Sequence, residues 1–186
     1  MQTINNIGIF DSGAGGLTVL KSLIEEVGFN HIVYYGDTAR VPYGNKDTET
    51  IRRFSLEALE FFSNFGLDLL VVACNTASAH ALHAMQECSK IPIIGVIESG
   101  IAALTQQHIA KDKHILVIAT EATIKSDNYA KSLRNLGYTN ITSLATNLFV
   151  SLVEEHVFSG EVVDSVLRHY FPPTLKPDVV ILGCTH

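Results

Sequence analysis

Val71-Val72-Ala73-Cys74-Asn75-Thr76 and Ile181-Leu182-Gly183-Cys184-Thr185-His186 share one pattern: an apolar run, one small residue, a thiol, then hydrogen-bonding side chains. In an α/β fold the carboxyl ends of buried strands open into the crevice where ligands bind. Two thiols arriving there from different strands can face one substrate from opposite sides, which suits paired acid and base chemistry. Donor side chains after each thiol, and a helix expected to begin beyond Asn75, both favour the thiolate, whose reference pKa is about 8.5. A buried cysteine is also common as a small hydrophobe. The repetition of the strand-end setting is what singles out Cys74 and Cys184. Cys88, between Glu87 and Ser89 in the middle of a helical stretch, lacks that setting and reads as structural. His186 beside a thiol can trade protons near neutrality, since its reference pKa is about 6.5.

Two further turns carry polar groups. Phe10-Asp11-Ser12-Gly13-Ala14-Gly15-Gly16-Leu17 is glycine-rich, but a G-x-G-x-x-G dinucleotide fingerprint needs glycine at position 18, where Thr18 stands. The glycines instead permit a tight turn with free backbone N–H groups at a helix start, a setting for a carboxylate or phosphate. Asp11 is either an N-cap or a proton partner for a thiol. The second turn, Gly36 to Gly44, contains Pro42-Tyr43-Gly44, which by itself reads as a rigid loop.

Seven short apolar runs read as buried parallel strands: Ile7–Phe10, Ile32–Tyr35, Leu69–Ala73, Ile93–Ile97, Ile115–Ala119, Ile141–Ala145 and Val179–Leu182. Helical spacing follows the first at Leu17, Leu20, Ile24 and Val27. It also precedes the third at Ile51, Phe54, Ala58, Phe61, Phe62 and Phe65, and both stripes are expected to pack on sheet faces. Alternation of strand and helix implies right-handed crossovers, a mostly parallel sheet and function at the strand-end loops. The length allows one large or two small α/β domains. Pro172-Pro173 marks a loop into the last strand.

Composition excludes several classes. The chain has 186 residues, 47% hydrophobic, enough for a substantial core, and a net charge of −6 that argues against binding nucleic acid through phosphates. Runs such as Leu67 to Ala73 fall far short of the roughly 20 residues of a membrane span, and no cleavable leader pattern opens the chain. Three widely spaced cysteines make a disulfide framework improbable and suit a reducing cytoplasm. A zinc site using Cys74, Cys184, His186 and Asp11 has no C-x-x-C or H-x-x-x-H spacing behind it.

Taken together, Phe10-Asp11-Ser12-Gly13, Asp37-Thr38-Ala39-Arg40 with Pro42-Tyr43-Gly44, Ala73-Cys74-Asn75-Thr76-Ala77, Ala119-Thr120 with Ala122-Thr123, Leu148-Phe149-Val150 with Leu152-Val153-Glu154-Glu155, and Gly183-Cys184-Thr185-His186 resemble the glutamate racemases of the aspartate/glutamate racemase superfamily. The match runs from Gly8 to the last residue. The resemblance implies two parallel-sheet α/β domains related by pseudo-symmetry, residues 1–95 and 96–186 with the site in the cleft between them, and interconversion of L- and D-glutamate without cofactor or metal, the D-isomer supplying bacterial peptidoglycan. It implies that Cys74 acts on D-glutamate with Asp11 assisting, and Cys184 on L-glutamate with His186 assisting and Glu154 near that second base. Ser12, Pro42, Tyr43, Gly44, Asn75, Thr76, Thr120, Thr123 and Thr185 are then the substrate-binding positions, and a homodimer is compatible with the family. Without pyridoxal as electron sink, such a reaction needs a dense polar shell around the developing carbanion.

The family resemblance carries two further expectations. Thr146-Asn147-Leu148 and Ser151 stand where the family carries Cys-Pro-Leu and a later proline. Family members continue past the Gly-Cys-Thr-His motif to complete the first domain, so a chain ending at His186 is expected to be a shortened version. Its terminal carboxylate would then oppose a thiolate at Cys184. The competing readings are a racemase of aspartate or another acidic amino acid, and an inactive ligand-binding fragment.

Overall fold

The computed structural model describes residues 4–186. Ile7, Ile9 and Phe10 are fully buried in β1 (Asn6–Asp11). This strand is flanked by β2 (His31–Gly36) and β3 (Leu69–Val72), with β4 (Ile93–Gly95) beyond β3, every pairing parallel. Helices cover both faces of such a sheet, so its central strands are apolar throughout rather than alternating. Helix α1 (Leu17–Glu26) lies over Ile7, Ile9, Val71 and Ala73. On the other face α2 (Thr48–Phe62), α3 (Asn75–His80) and α4 (Leu82–Cys88) pack over Phe10, Leu70 and Val72. Helix α2 starts at Asp47, whose Oδ1 accepts from the Thr50 N–H at 2.9 Å.

The second sheet repeats the first around a new centre. Its order is β6-β5-β7, with β5 (Ile115–Ala119) between β6 (Ile141–Ala145) and β7 (Val179–Gly183), so β5 takes the place of β1, β6 of β2 and β7 of β3. This parallel repeat is the pseudo-symmetry that the family resemblance implies. Helices α5 (Val96–Gln106) and α7 (Asn128–Asn135) supply Ile97, Ile101, Leu104, Tyr129 and Leu133 to its core. Helices α6 (Glu121–Ser126), α8 (Asn147–Glu154) and α9 (Glu161–Tyr170) complete the unit. The loop through Pro172-Pro173 leads into β7. Among the described residues no helix is long and apolar enough to cross a membrane.

All seven runs form strands, with four corrections to the sequence reading. The fourth strand stops at Gly95, and Val96 and Ile97 open α5. A short apolar run does not distinguish a strand from a buried helix start. The α1 stripe is rotated: Leu17, Ile24 and Val27 are largely exposed, and Val19, Leu20 and Leu23 face the sheet. Phe61 and Phe65 of the second stripe remain partly exposed at its margin, ring against ring. Finally, β7 is half-covered, with Ile181 buried and Val180 and Leu182 open to solvent.

Candidate active site

The sheet orders dictate where a site can form. Chain leaving β1 turns to β2 on one side, while β3 lies on the other, so a crevice opens between the carboxyl ends of β1 and β3. The second sheet has the equivalent crevice between β5 and β7. Ser12 and Cys74 follow the first pair of strand ends; Thr120 and Cys184 follow the second.

Cys74 is the N-cap of α3: its sulfur accepts the Ala77 N–H at 3.4 Å and its thiol donates to Ser12 Oγ at 3.2 Å. The Ala77 N–H, and the Ser12 hydroxyl when it turns to donate, favour the thiolate, as the sequence reading expected, but burial acts more strongly. Desolvation, with Asp11 and then Cys184 adding like charge, leaves the thiol pushed up to about 12. Asp11 is fully buried and does not cap α1, whose N-cap is Gly16. Its Oδ2 accepts the Gly13 N–H at 2.9 Å, and among the described residues its Oδ1 has no protein partner. Burial pushes the Asp11 carboxyl above its ordinary range, against the pull of nearby backbone N–H groups and His186.

On the opposite side, His186 Nδ1 lies 3.9 Å from Cys184 Sγ and 3.3 Å from Thr185 Oγ1. Its Nε2 meets Glu154 Oε1. The neighbouring Cys184 sulfur, then Glu154 and Asp11, hold the imidazolium to a pKa of about 9 despite burial. The two motif ends meet here. A Cβ on Gly15 would lie 2.4 Å from Thr185 Oγ1 and 2.9 Å from His186 Cε1, so the first turn needs glycine at that position.

Hydroxyls join the two halves of the wall. Thr76 Oγ1 sits 2.9 Å from Thr120 Oγ1 and 3.2 Å from Thr123 Oγ1, with Thr120 also capping α6. The Pro42-Tyr43-Gly44 loop lies against Thr120 so closely that a Gly44 Cβ would fall 2.4 Å from Thr120 Cβ. The Tyr43 hydroxyl donates to buried Asp37, which also pairs with Arg40 at 2.7 Å.

One narrow cleft of about 20 Å³ is lined by both Cys74 and Cys184. Ser12, Pro42, Tyr43 and Gly44 line it too, as do Asn75, Thr76, Thr120, Thr185 and His186. Asp11, Thr123 and Glu154 stand behind these residues. Val41 and Val150 also line the cleft and were not singled out from the sequence, because isolated valines look like core. A larger groove of about 500 Å³ between α2 and α4 is walled by Leu56, Leu59, Phe62, Phe65, Leu67 and Ile91. Glu60, Lys90 and Cys88 also line that groove, but only the narrow cleft brings together Cys74, Cys184 and His186, so the narrow cleft is the candidate site. Cys88 lies in the larger groove, exposed at the end of α4 rather than structural in mid-helix as expected. Among the described residues no group of three or more His, Cys, Asp or Glu side chains is arranged to hold a metal ion.

Residues 7–186 match the family described as Asp/Glu/Hydantoin racemase. The chain belongs to that family. It is 56% identical over 180 residues to the glutamate racemase of Campylobacter jejuni subsp. jejuni, covering 97% of this chain and 72% of that protein. The crystal structure of a Campylobacter jejuni glutamate racemase superposes with a TM-score of 0.94 at 55% identity, covering 97% of this chain and 72% of that one. The Francisella tularensis glutamate racemase, solved in complex with D-glutamate, superposes with a TM-score of 0.88 at 38% identity, covering 98% of this chain and 69% of its own. The chain thus spans about seven tenths of the length of these racemases.

Proposed function

We propose that this chain interconverts L- and D-glutamate without a cofactor, by proton transfer at the α-carbon between Cys74 and Cys184. The observation that carries the reading is a single cleft lined by both thiols, one from each sheet. The names of the similar racemases support glutamate as substrate.

The reaction follows from the protonation states. Cys74 is a thiol in the free protein, since burial raises its pKa to about 12, and so stands ready to donate. From L-glutamate, the Cys184 sulfur takes the α-proton as the C–H bond breaks. The electron pair is held by the α-carboxylate, and the Cys74 S–H gives its proton to the opposite face. Protonated His186, held by Glu154, stabilises the Cys184 side. In reverse, Cys74 first loses its proton, and Asp11, with an unpartnered Oδ1, is the adjacent base. Ser12, Asn75, Thr76, Thr120, Thr123 and Thr185, with the Pro42-Tyr43-Gly44 loop, hold the substrate's carboxylates and ammonium. Fixed dipoles there replace water around the developing charge. A cleft of about 20 Å³ admits about one water, so the walls part to admit glutamate and close around it.

Residues 1–95 and 96–186 form the two domains whose relative movement opens the cleft. The D-glutamate formed supplies bacterial peptidoglycan, and the enzyme works in the cytoplasm, where its thiols stay reduced. It forms a homodimer, which light scattering tests. The decisive experiment is exchange of the glutamate α-hydrogen in deuterated water. Wild-type protein incorporates deuterium and generates D-glutamate from the L-isomer, and Cys74→Ser and Cys184→Ser each abolish racemisation. Absence of exchange with glutamate, or exchange with aspartate instead, overturns the assignment.

A further inference from the structure

Asn75 opens α3 and lines the cleft, yet its side chain is held from the other sheet's unit. The hydroxyl of Tyr129, on α7, donates to Asn75 Oδ1 at 2.7 Å in a buried contact. Burial, with Glu98 and Cys184 nearby, keeps that phenol protonated well above its ordinary range, so it acts as a donor. Among the described residues Asn75 Nδ2 has no protein partner and Tyr129 Oη has no other. Flipping the amide would set the Tyr129 O–H against an NH₂ group and leave its proton without an acceptor, which costs about a hydrogen bond in a buried setting. The hydroxyl thereby selects the orientation in which Nδ2 faces the cleft. The ring serves the opposite wall as well: a Cβ on Gly183 would come 3.1 Å from Tyr129 Cε2, so the ring rests against the residue preceding Cys184.

We propose that Tyr129 is a positioning residue. Its hydroxyl holds the Asn75 amide with the NH₂ toward an anionic substrate, and its ring braces the strand end that carries Cys184. The identity of that anion as glutamate rests on the racemase reading above; the Tyr129–Asn75 link does not.

Tyr129→Phe keeps the ring and removes the hydroxyl. We expect kcat/KM for glutamate to fall about 5- to 30-fold, the effect of one or two hydrogen bonds' worth of orientation. In an Asn75→Ala background the same substitution should change kcat/KM by less than about twofold, because the link is already gone. Equal losses in both backgrounds would mean a general packing role and overturn the proposal. So would an unimpaired Tyr129→Phe, or full activity in Asn75→Ala. The side-chain ¹⁵NH₂ pair of Asn75, identified by its loss in Asn75→Ala, reads the link without turnover. It should shift and exchange faster with solvent in Tyr129→Phe. An unchanged pair overturns the link even in an active enzyme. A shifted pair in a protein that does not turn over glutamate upholds the link and removes the racemase reading instead.

Discussion

His186 Nε2 lies 2.6 Å from Glu154 Oε1, tying the last residue of α8 to the residue two places beyond Cys184. With Cys184 on its other nitrogen, the imidazole is raised from 6.5 to about 9. A group raised on folding stabilises the native state fully below its unfolded pKa and loses that contribution as pH rises through the folded one. The contribution of the charged imidazole, from Cys184 first and Glu154 after it, is therefore complete below pH 6.5 and gone above about 9. In Glu154→Gln the His186 midpoint, followed by NMR, should fall only part of the way toward 6.5, because Cys184, the larger cause of the rise, remains. The difference in melting temperature between wild type and variant should be largest at mildly acidic pH, where carboxylates are ionised and the imidazole is charged, and vanish above about pH 9. A pH-independent difference would show that the pair is not ionic.

Burial of Cys74 predicts an order of thiol reactivity. In native protein at pH 8, iodoacetamide should label exposed Cys88 well before Cys74, whose pKa is pushed up to about 12. Ser12→Ala removes a partner that favours the Cys74 thiolate and should slow its labelling further. Peptide mass spectrometry gives both rates, and labelling of Cys74 as fast as Cys88 would contradict the buried thiol.

Gly15→Ala tests the meeting of the two motif ends. The new methyl group would sit 2.4 Å from Thr185 Oγ1, forcing Thr185 and His186 away from the cleft. Overpacking of this kind costs about 1–3 kcal/mol. We expect a folded protein whose racemisation drops at least about tenfold, since small displacements of positioned groups cost that much or more. Unchanged kinetics would mean the first turn moves freely against the last strand end.

Tyr43→Phe deletes a donor to buried Asp37, leaving Arg40 as the remaining side-chain partner of that carboxylate among the described residues. Unfolding free energy should fall by about 1–3 kcal/mol, the cost of an under-satisfied buried acceptor. Urea denaturation measures it, and no loss would mean that Arg40 or water takes over the bond.

Much of the site was legible because it is local. Cys74 and Cys184 each follow a strand within two residues, and strand ends in parallel sheets are where crevices form. Glu154 was placed by family resemblance alone, since nothing in its own segment points to a histidine 32 positions away. Tyr129 left no signal at all: it sits among polar residues of a short helix and acts through a residue 54 positions earlier. The α1 face was misread for a related reason, because Leu17, Ile24 and Val27 keep helical spacing while the sheet contacts Val19, Leu20 and Leu23.

The amino-acid order by itself determined the seven strands, their parallel alternation with helices and the strand-end setting of both thiols, because periodicity and turn chemistry act over a few residues. Tertiary structure decided what those groups are chemically. Proton affinity depends on burial and on charges brought from distant segments. The rise of the Cys74 pKa and the Tyr129 hold on Asn75 therefore exist only once two sheets close on one cleft, while the imidazolium at His186 also draws on Glu154, brought to the end of β7 by α8.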